Sequence, residues 1–71
     1  MKFSQLQYFC AVCRCNSISK AAEQLYVAQP SISIALKDLE RELGVALFTR
    51  YNNRLSLTTE GNVFWRAHSK F

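Results

Sequence analysis

One histidine, two glycines and one proline are all that this chain of 71 residues holds of those types. There is no glycine-rich loop, no clustered set of carboxylates in a plausible cleft, and no second histidine to work beside His68. A catalytic site is assembled from such groups, so an enzyme is not expected and no cofactor is implied. No run approaches the roughly eighteen uninterrupted apolar residues that a membrane-spanning helix needs. Met1-Lys2-Phe3-Ser4 followed by glutamines is not a secretory leader, and the expected location is the cytoplasm.

Cysteine is scarce and crowded. Cys10, Cys13 and Cys15 fall within six residues, and an odd set so close together cannot form a disulfide framework within one chain. A reducing compartment follows. The spacing C-x2-C-x-C invites a metal, but a structural zinc site needs a fourth ligand and His68 stands at the far end of the chain. On a helix, Cys10 and Cys13 share a face with Leu6 and Phe9, where cysteine packs as a small hydrophobe. Cys15, near the helix end, is expected to be the exposed thiol. A cysteine-based metal or redox sensor is the alternative class, and stoichiometric zinc in the purified protein would reveal it.

The residues that are plentiful point elsewhere. Hydrophobic residues make up 49% of the chain, enough for one thin core and one domain at most. Nine basic residues against five acidic ones leave a net charge of +4, a standing attraction to polyanions. Nucleic acid is favoured over acidic membranes.

The first helix is expected from Ser4, as N-cap, to Cys15, with Leu6, Phe9, Cys10 and Cys13 on one face. Asn16-Ser17 breaks it. A short second helix with Ser19 as N-cap holds the adjacent Ala21 and Ala22, small enough for another helix to cross closely, and closes at Leu25. After the turn Tyr26-Val27-Ala28, Gln29-Pro30 opens a third helix, because proline in a first turn gives up an amide that has no intrahelical partner. Two helices joined this tightly form a helix-turn-helix, whose second helix enters the DNA major groove.

That third helix runs to Leu43 and stops at Gly44, suited to the left-handed position after a helix. Ile32, Leu36, Leu39 and Leu43 form its core seam. Gln29, Ser31, Ser33, Ile34 and Lys37 occupy the early positions that a recognition helix brings to base edges. Gln29 suits adenine, the serines donate or accept, and Ile34 suits a thymine methyl. Ser17 and Ser19, beside Lys20, offer hydroxyls and amides to a phosphate. Asp38, Glu40 and Glu42 must point away from the duplex; Glu40 is expected to anchor the following chain through Arg50, and Asp38, Arg41 and Glu42 to form a solvated face.

Two β-capable runs around Asn52-Asn53 describe a hairpin with Arg50 and Arg54 at its basic tip, a wing able to touch phosphate backbone or minor groove. Thr58 caps a last helix. Its apolar Val63, Phe64, Trp65, Ala67 and Phe71 would pack on the first helix or pair with a second copy. The fold class is mainly α: a winged helix-turn-helix of three helices and a two-stranded wing, followed by the start of a last helix.

Leu6-x-x-Phe9, Ser17-Ile18, Ala21-Ala22-x-x-Leu25, Val27-x-Gln29-Pro30-Ser31-x-Ser33, Leu39-Glu40-x-x-Leu43-Gly44, Leu47-Phe48-x-Arg50 and Leu57-Thr58-x-x-Gly61 occur in that order at fixed spacing. Together they resemble the amino-terminal DNA-binding domain of LysR-type transcriptional regulators. The resemblance implies a bacterial regulator of double-stranded DNA, with the winged domain over residues 1–58, its helix-turn-helix at about residues 18–37, and Gln29, Pro30, Ser31, Ser33 and Ile34 facing the groove. It further implies a homodimer through a linker helix beginning at residues 59–71, which places Val63, Phe64, Ala67 and Phe71 at the contact. A small-molecule effector would act only through a C-terminal effector domain absent from these residues, and no membrane is involved.

Single-stranded RNA is disfavoured, since its readers stack bases on exposed aromatics and only Tyr8, Tyr26 and Tyr51 lie off the apolar seams. Tyr26 and Tyr51 are expected to lie against phosphate or pack locally. A third class, a protein interaction module using the apolar last helix, predicts no salt-sensitive binding to duplex DNA.

Two departures from the family pattern have consequences. Ile34 stands where arginine is common, which shifts the expected base preference toward thymine. Ala28 stands where serine or threonine usually caps the third helix. Ala28→Ser is expected to stabilise the domain by about 1 kcal/mol, raising the melting temperature by roughly 4–8 °C; an unchanged melting temperature would remove Ala28 from the N-cap position.

Overall fold

Three residues in the left-handed region mark where the first three helices stop: Asn16 (φ 54°), Tyr26 (φ 57°) and Gly44 (φ 73°). The structure is a computed structural model describing residues 1–51 and 54–69, with Arg54 described by its backbone alone. Its elements are α1 (Phe3–Cys15), α2 (Ile18–Leu25), α3 (Gln29–Leu43), β1 (Phe48–Tyr51), β2 (Arg54–Leu57) and α4 (Thr59–His68). Asparagine and glycine enter the left-handed region at low cost, whereas tyrosine does so rarely. Tyr26 is held there by its own amide, which donates to the Ala22 and Glu23 carbonyls, and by the Val27 amide, which donates to the Ala22 carbonyl at 3.1 Å.

Two expected caps are corrected. The N-cap position of α1 is Lys2, whose amide donates to the Gln5 side-chain oxygen at 2.8 Å, so Ser4 lies inside the first turn. For α2 the cap is Ser17, whose hydroxyl accepts from the Lys20 amide at 3.2 Å. Ser19 sits one residue inside that helix, and its hydroxyl accepts from the Gln29 amide nitrogen of the side chain at 3.2 Å. Ala28 at the head of α3 has extended backbone (φ −74°, ψ 144°) and makes no side-chain cap bond. Thr58 caps α4 as expected, accepting from the Gly61 amide at 2.9 Å and donating to the Ala46 carbonyl at 2.6 Å.

The core lies where α1, α2 and α3 meet. Phe9, Cys10, Val12, Ala21, Ala22, Ile32, Leu36, Leu39 and Leu47 are buried there. Ala21 and Ala22 have the small side chains that close packing of α2 on α1 and α3 requires. Phe9 is wholly buried, and its ring meets Phe48 of β1 at 5.3 Å, Phe64 of α4 edge-on at 5.1 Å and Trp65 at 6.4 Å. One side of α4 is thereby packed on α1. Its first turn presses so closely on the loop between α3 and β1 that a Cβ at Gly61 would collide with the Leu47 carbonyl oxygen.

The expected seam of α3 ends one member early. Leu43 is 37% exposed because it lies in the last turn, beyond the reach of α1 and α2. Cys15 is also corrected: it is half-buried like Cys13 and packs at the core margin, so it is not singled out as the exposed thiol. Of the acidic run, Asp38 pairs with Arg41 at 2.8 Å and Glu42 with the Met1 ammonium at 2.5 Å.

β1 and β2 pair antiparallel in the register Phe48↔Leu57, Thr49↔Ser56, Arg50↔Leu55 and Tyr51↔Arg54. The expected Asn52-Asn53 turn lies outside the described residues. Glu40 does anchor the chain that follows, but through backbone. Its Oε2 accepts from the Leu47 amide at 2.6 Å and the Phe48 amide at 3.2 Å, in place of the expected Arg50 guanidinium. Leu47 and Phe48 stand at the entry to β1, seven and eight residues after Glu40, where their amides lie within reach of its carboxylate.

Hydrogen bonds to a charged acceptor contribute about 1 kcal/mol more than neutral ones, so Glu40→Gln is expected to lower the melting temperature by roughly 4–8 °C and Glu40→Ala by more. A thermal denaturation series in which all three proteins melt together would show that the carboxylate does not hold the hairpin to α3.

Candidate nucleic-acid interface

Opposite its buried seam, α3 presents Gln29, Pro30, Ser31, Ile34 and Lys37 to solvent. Ser33 is half-buried, at the edge of a groove of about 370 Å³ between α3 and the hairpin. Ser33, Lys37 and Glu40 line it from α3, and Phe48, Arg50 and Leu55 from the strands. The groove therefore sets a lysine and an arginine from two different elements around one concavity, while the Glu40 carboxylate is occupied by backbone amides. Such an arrangement suits an anionic backbone running between helix and wing.

From α2 the exposed Ser19 and Lys20 extend this surface, with Ser17 half-buried as the cap between them and α1. The Gln29 to Ser19 bond crosses the turn and orients the first side chain of α3. It also means that Gln29 enters any base contact from a held position, which sequence spacing does not reveal. Tyr26, at 95% exposure, and the exposed Tyr51 do not pack locally. Tyr8 is half-buried. The Arg54 side chain, expected at the wing tip, lies outside the described residues.

A second, apolar surface runs along α4. Val63 (62% exposed) and Ala67 face solvent, while Phe64 is half-buried against Phe9. Together with Leu43, Val45 and Leu47 they line a groove of about 390 Å³. Leu43 and Val45 were not anticipated on this surface; the signal was the apolar pair flanking Gly44 at the end of the helix. Phe71 lies outside the described residues.

The cysteines are structural neighbours on α1. The Cys10 thiol donates to the His68 carbonyl at 3.5 Å, tying α1 to the end of α4. Among the described residues, no group of three or more histidine, cysteine, aspartate or glutamate side chains is placed to hold a metal ion. Burial, reinforced by the neighbouring Cys10 and opposed by Arg14, pushes the Cys13 thiol up to about 12. Burial likewise raises Cys10, against Arg14.

Fold and surface define a winged helix-turn-helix domain: helix-turn-helix, two-stranded wing, and a further helix docked on the first. The chain belongs to the lysR family of bacterial regulatory helix-turn-helix proteins, whose family model matches residues 3–62. It is 46% identical over 65 residues to the HTH-type transcriptional regulator BsdA of Bacillus subtilis (strain 168), covering 90% of this chain and 22% of that protein. It is 42% identical over 64 residues to the regulator ClcR of Pseudomonas putida, again covering 90% of this chain and 22% of that one. The chain thus spans about a fifth of the length of the curated relatives it matches.

Among solved structures, the BenM DNA-binding domain in complex with catB site 1 DNA superposes with a TM-score of 0.93 at 38% identity, covering 99% of this chain and 79% of that one. A LysR-family regulator from Eggerthella lenta DSM 2243 superposes with a TM-score of 0.90 at 37% identity, covering 94% and 96%. Among the described residues, no helix is long and apolar enough to cross a membrane.

A group held protonated in the fold stabilises it below its unfolded pKa, and that contribution is lost as pH rises through the folded value. For Cys13 the span is from about 9 to about 12. Cys13→Ala is expected to lose melting temperature less steeply over that alkaline range than the parent; parallel slopes would show that the Cys13 thiol is not protected.

Proposed function

We propose that this chain is the sequence-specific, double-stranded-DNA-binding part of a LysR-type transcriptional regulator. Residues 1–58 form the winged helix-turn-helix and residues 59–71 begin a linker helix. The observation that carries this reading is the groove in which Lys37 of α3 and Arg50 of β1 flank one concavity beside the exposed Gln29, Ser31 and Ile34. α3 lies in the major groove, with Gln29, Pro30, Ser31, Ser33 and Ile34 toward base edges. Ser17, Ser19, Lys20, Lys37, Arg50 and Arg54 contact phosphates, with the wing on the backbone or in the minor groove.

Related domains support the reading: the BenM and CbnR DNA-binding domains are each known in complex with DNA. Two copies pair through the apolar side of α4, with Val63, Phe64, Ala67 and Phe71 at the contact and Leu43 and Val45 beside them. The remaining length of the relatives is the place for an effector domain, through which alone a small molecule would act. The role is binding rather than catalysis, and the location is cytoplasmic.

Fluorescence anisotropy of labelled random duplex DNA at two salt concentrations tests this, with single-stranded RNA of equal length as control. Duplex is expected to bind better, with log affinity falling against log salt at a slope of about −3 to −6, and Lys37→Ala is expected to make the slope shallower by about 1. Equal, weak, salt-insensitive binding of duplex and RNA would overturn the reading.

A further inference from the structure

Ile34 is a lone large apolar side chain on a polar helix face. It is 62% exposed, and the 3.6-residue turn places it about 200° around α3 from the wholly buried Ile32. It therefore points away from the seam of Ile32, Leu36 and Leu39 and gains nothing from the core. Its exposed neighbours on α3 are Pro30, Ser31, Lys37 and Asp38. A protein partner is a poor match, since protein contacts bury a contiguous apolar centre and here a single branched side chain is surrounded by polar and charged groups.

The surface that does match is itself polar and charged, with one small apolar group set in it. Base edges in the DNA major groove present hydrogen-bond donors and acceptors and a single kind of apolar group, the methyl on pyrimidine C5. Thymine carries that methyl, and so does cytosine methylated at C5. The two differ at position 4, where thymine has a carbonyl oxygen and cytosine an amino group. Isoleucine offers no hydrogen bond with which to tell these apart.

Resting on the duplex-DNA reading above, we infer that Ile34 reads the C5-methyl group of a major-groove pyrimidine, so that thymine and 5-methylcytosine are accepted alike at that base while unmethylated cytosine is rejected. Binding of this protein to a cytosine-containing site would then respond to cytosine methylation. The thymine preference expected from the sequence is one case of this wider chemistry.

The test starts from duplexes enriched by the chain from a random pool. Each thymine is replaced in turn by deoxyuridine, which removes only the methyl, and each thymine·adenine pair by 5-methylcytosine·guanine or cytosine·guanine. At one thymine of each half-site, deoxyuridine and cytosine are expected to weaken binding about fourfold, the effect of one buried methyl group, while 5-methylcytosine keeps affinity within about twofold. Ile34→Ala, at an exposed position outside the core, is expected to bind thymine and deoxyuridine duplexes alike at that base, both about fourfold more weakly than the parent binds thymine.

Four results would overturn the inference. Tolerance of deoxyuridine at every thymine, with salt-dependent binding intact, removes methyl reading and leaves the DNA reading standing. A deoxyuridine penalty not rescued by 5-methylcytosine removes the equivalence of the two bases. A penalty that persists in Ile34→Ala removes Ile34 as the reader. Failure to enrich any duplex, together with salt-insensitive binding, removes the DNA reading and this inference with it.

Discussion

The wholly buried ring of Phe9 is the contact on which the other elements converge. Phe48 brings the wing to it, Phe64 and Trp65 bring the last helix, and the buried Ile32, Leu36 and Leu39 of the third helix complete the same cluster. A chain of 71 residues buries a smaller fraction of its surface than a larger domain does, so it cannot give each element a separate core. Aromatic side chains fit this demand because each covers a large area and tolerates edge-on and tilted contacts. The groove between α3 and the wing and the apolar strip along α4 are thus arranged around a centre that lies on α1.

Rigidity between α3 and the wing has a second source. The carboxylate of Glu40 accepts two consecutive amides at the start of β1, so the strand leaves the helix at a fixed place. The consequence is that Lys37 and Arg50, remote in sequence, flank one groove. A domain that reads a duplex needs that relation held in advance, since ordering it on contact would subtract from binding. Glu40 keeps its negative charge in this groove, held toward the backbone of Leu47 and Phe48, beside the basic Lys37 and Arg50.

The acidic residues show how a basic domain keeps its charge useful. Asp38 is paired within the helix to Arg41, and Glu42 to the amino terminus, both on the later half of α3. Gln29 and Ser31 lie in its first turn and Lys37 at its middle. Uncharged polar groups thereby lead the helix after the turn, and the exposed Lys37 stands ahead of the paired Asp38 and Glu42. The opposite apolar strip along α4, with Val63, Ala67, Leu43 and Val45, is set apart from them. One surface suits a polyanion and the other a second apolar surface, and the separation allows both at once.

The order of the helices and the bounds of α3 were legible from local chemistry, whereas the starts of α1 and α2 were not. Pro30 and Gly44 bracket α3, Ala21-Ala22 mark the crossing, and the apolar spacing of Ile32, Leu36 and Leu39 assigns one face to the core and the other to solvent. These are properties of the chain over a few residues, fixed by allowed backbone angles and helical periodicity. What only the tertiary structure decided depends on which groups come within reach across elements. Capping fell to Ser17 because its hydroxyl, not that of Ser19, meets an open amide, while Ser19 found Gln29 across the turn. Glu40 met the amides of Leu47 and Phe48 before it could meet Arg50. Leu43 continues the core periodicity yet stands exposed, and Cys15 nears a helix end yet is half-buried, because burial is set by what lies opposite a residue and periodicity records only which way it points.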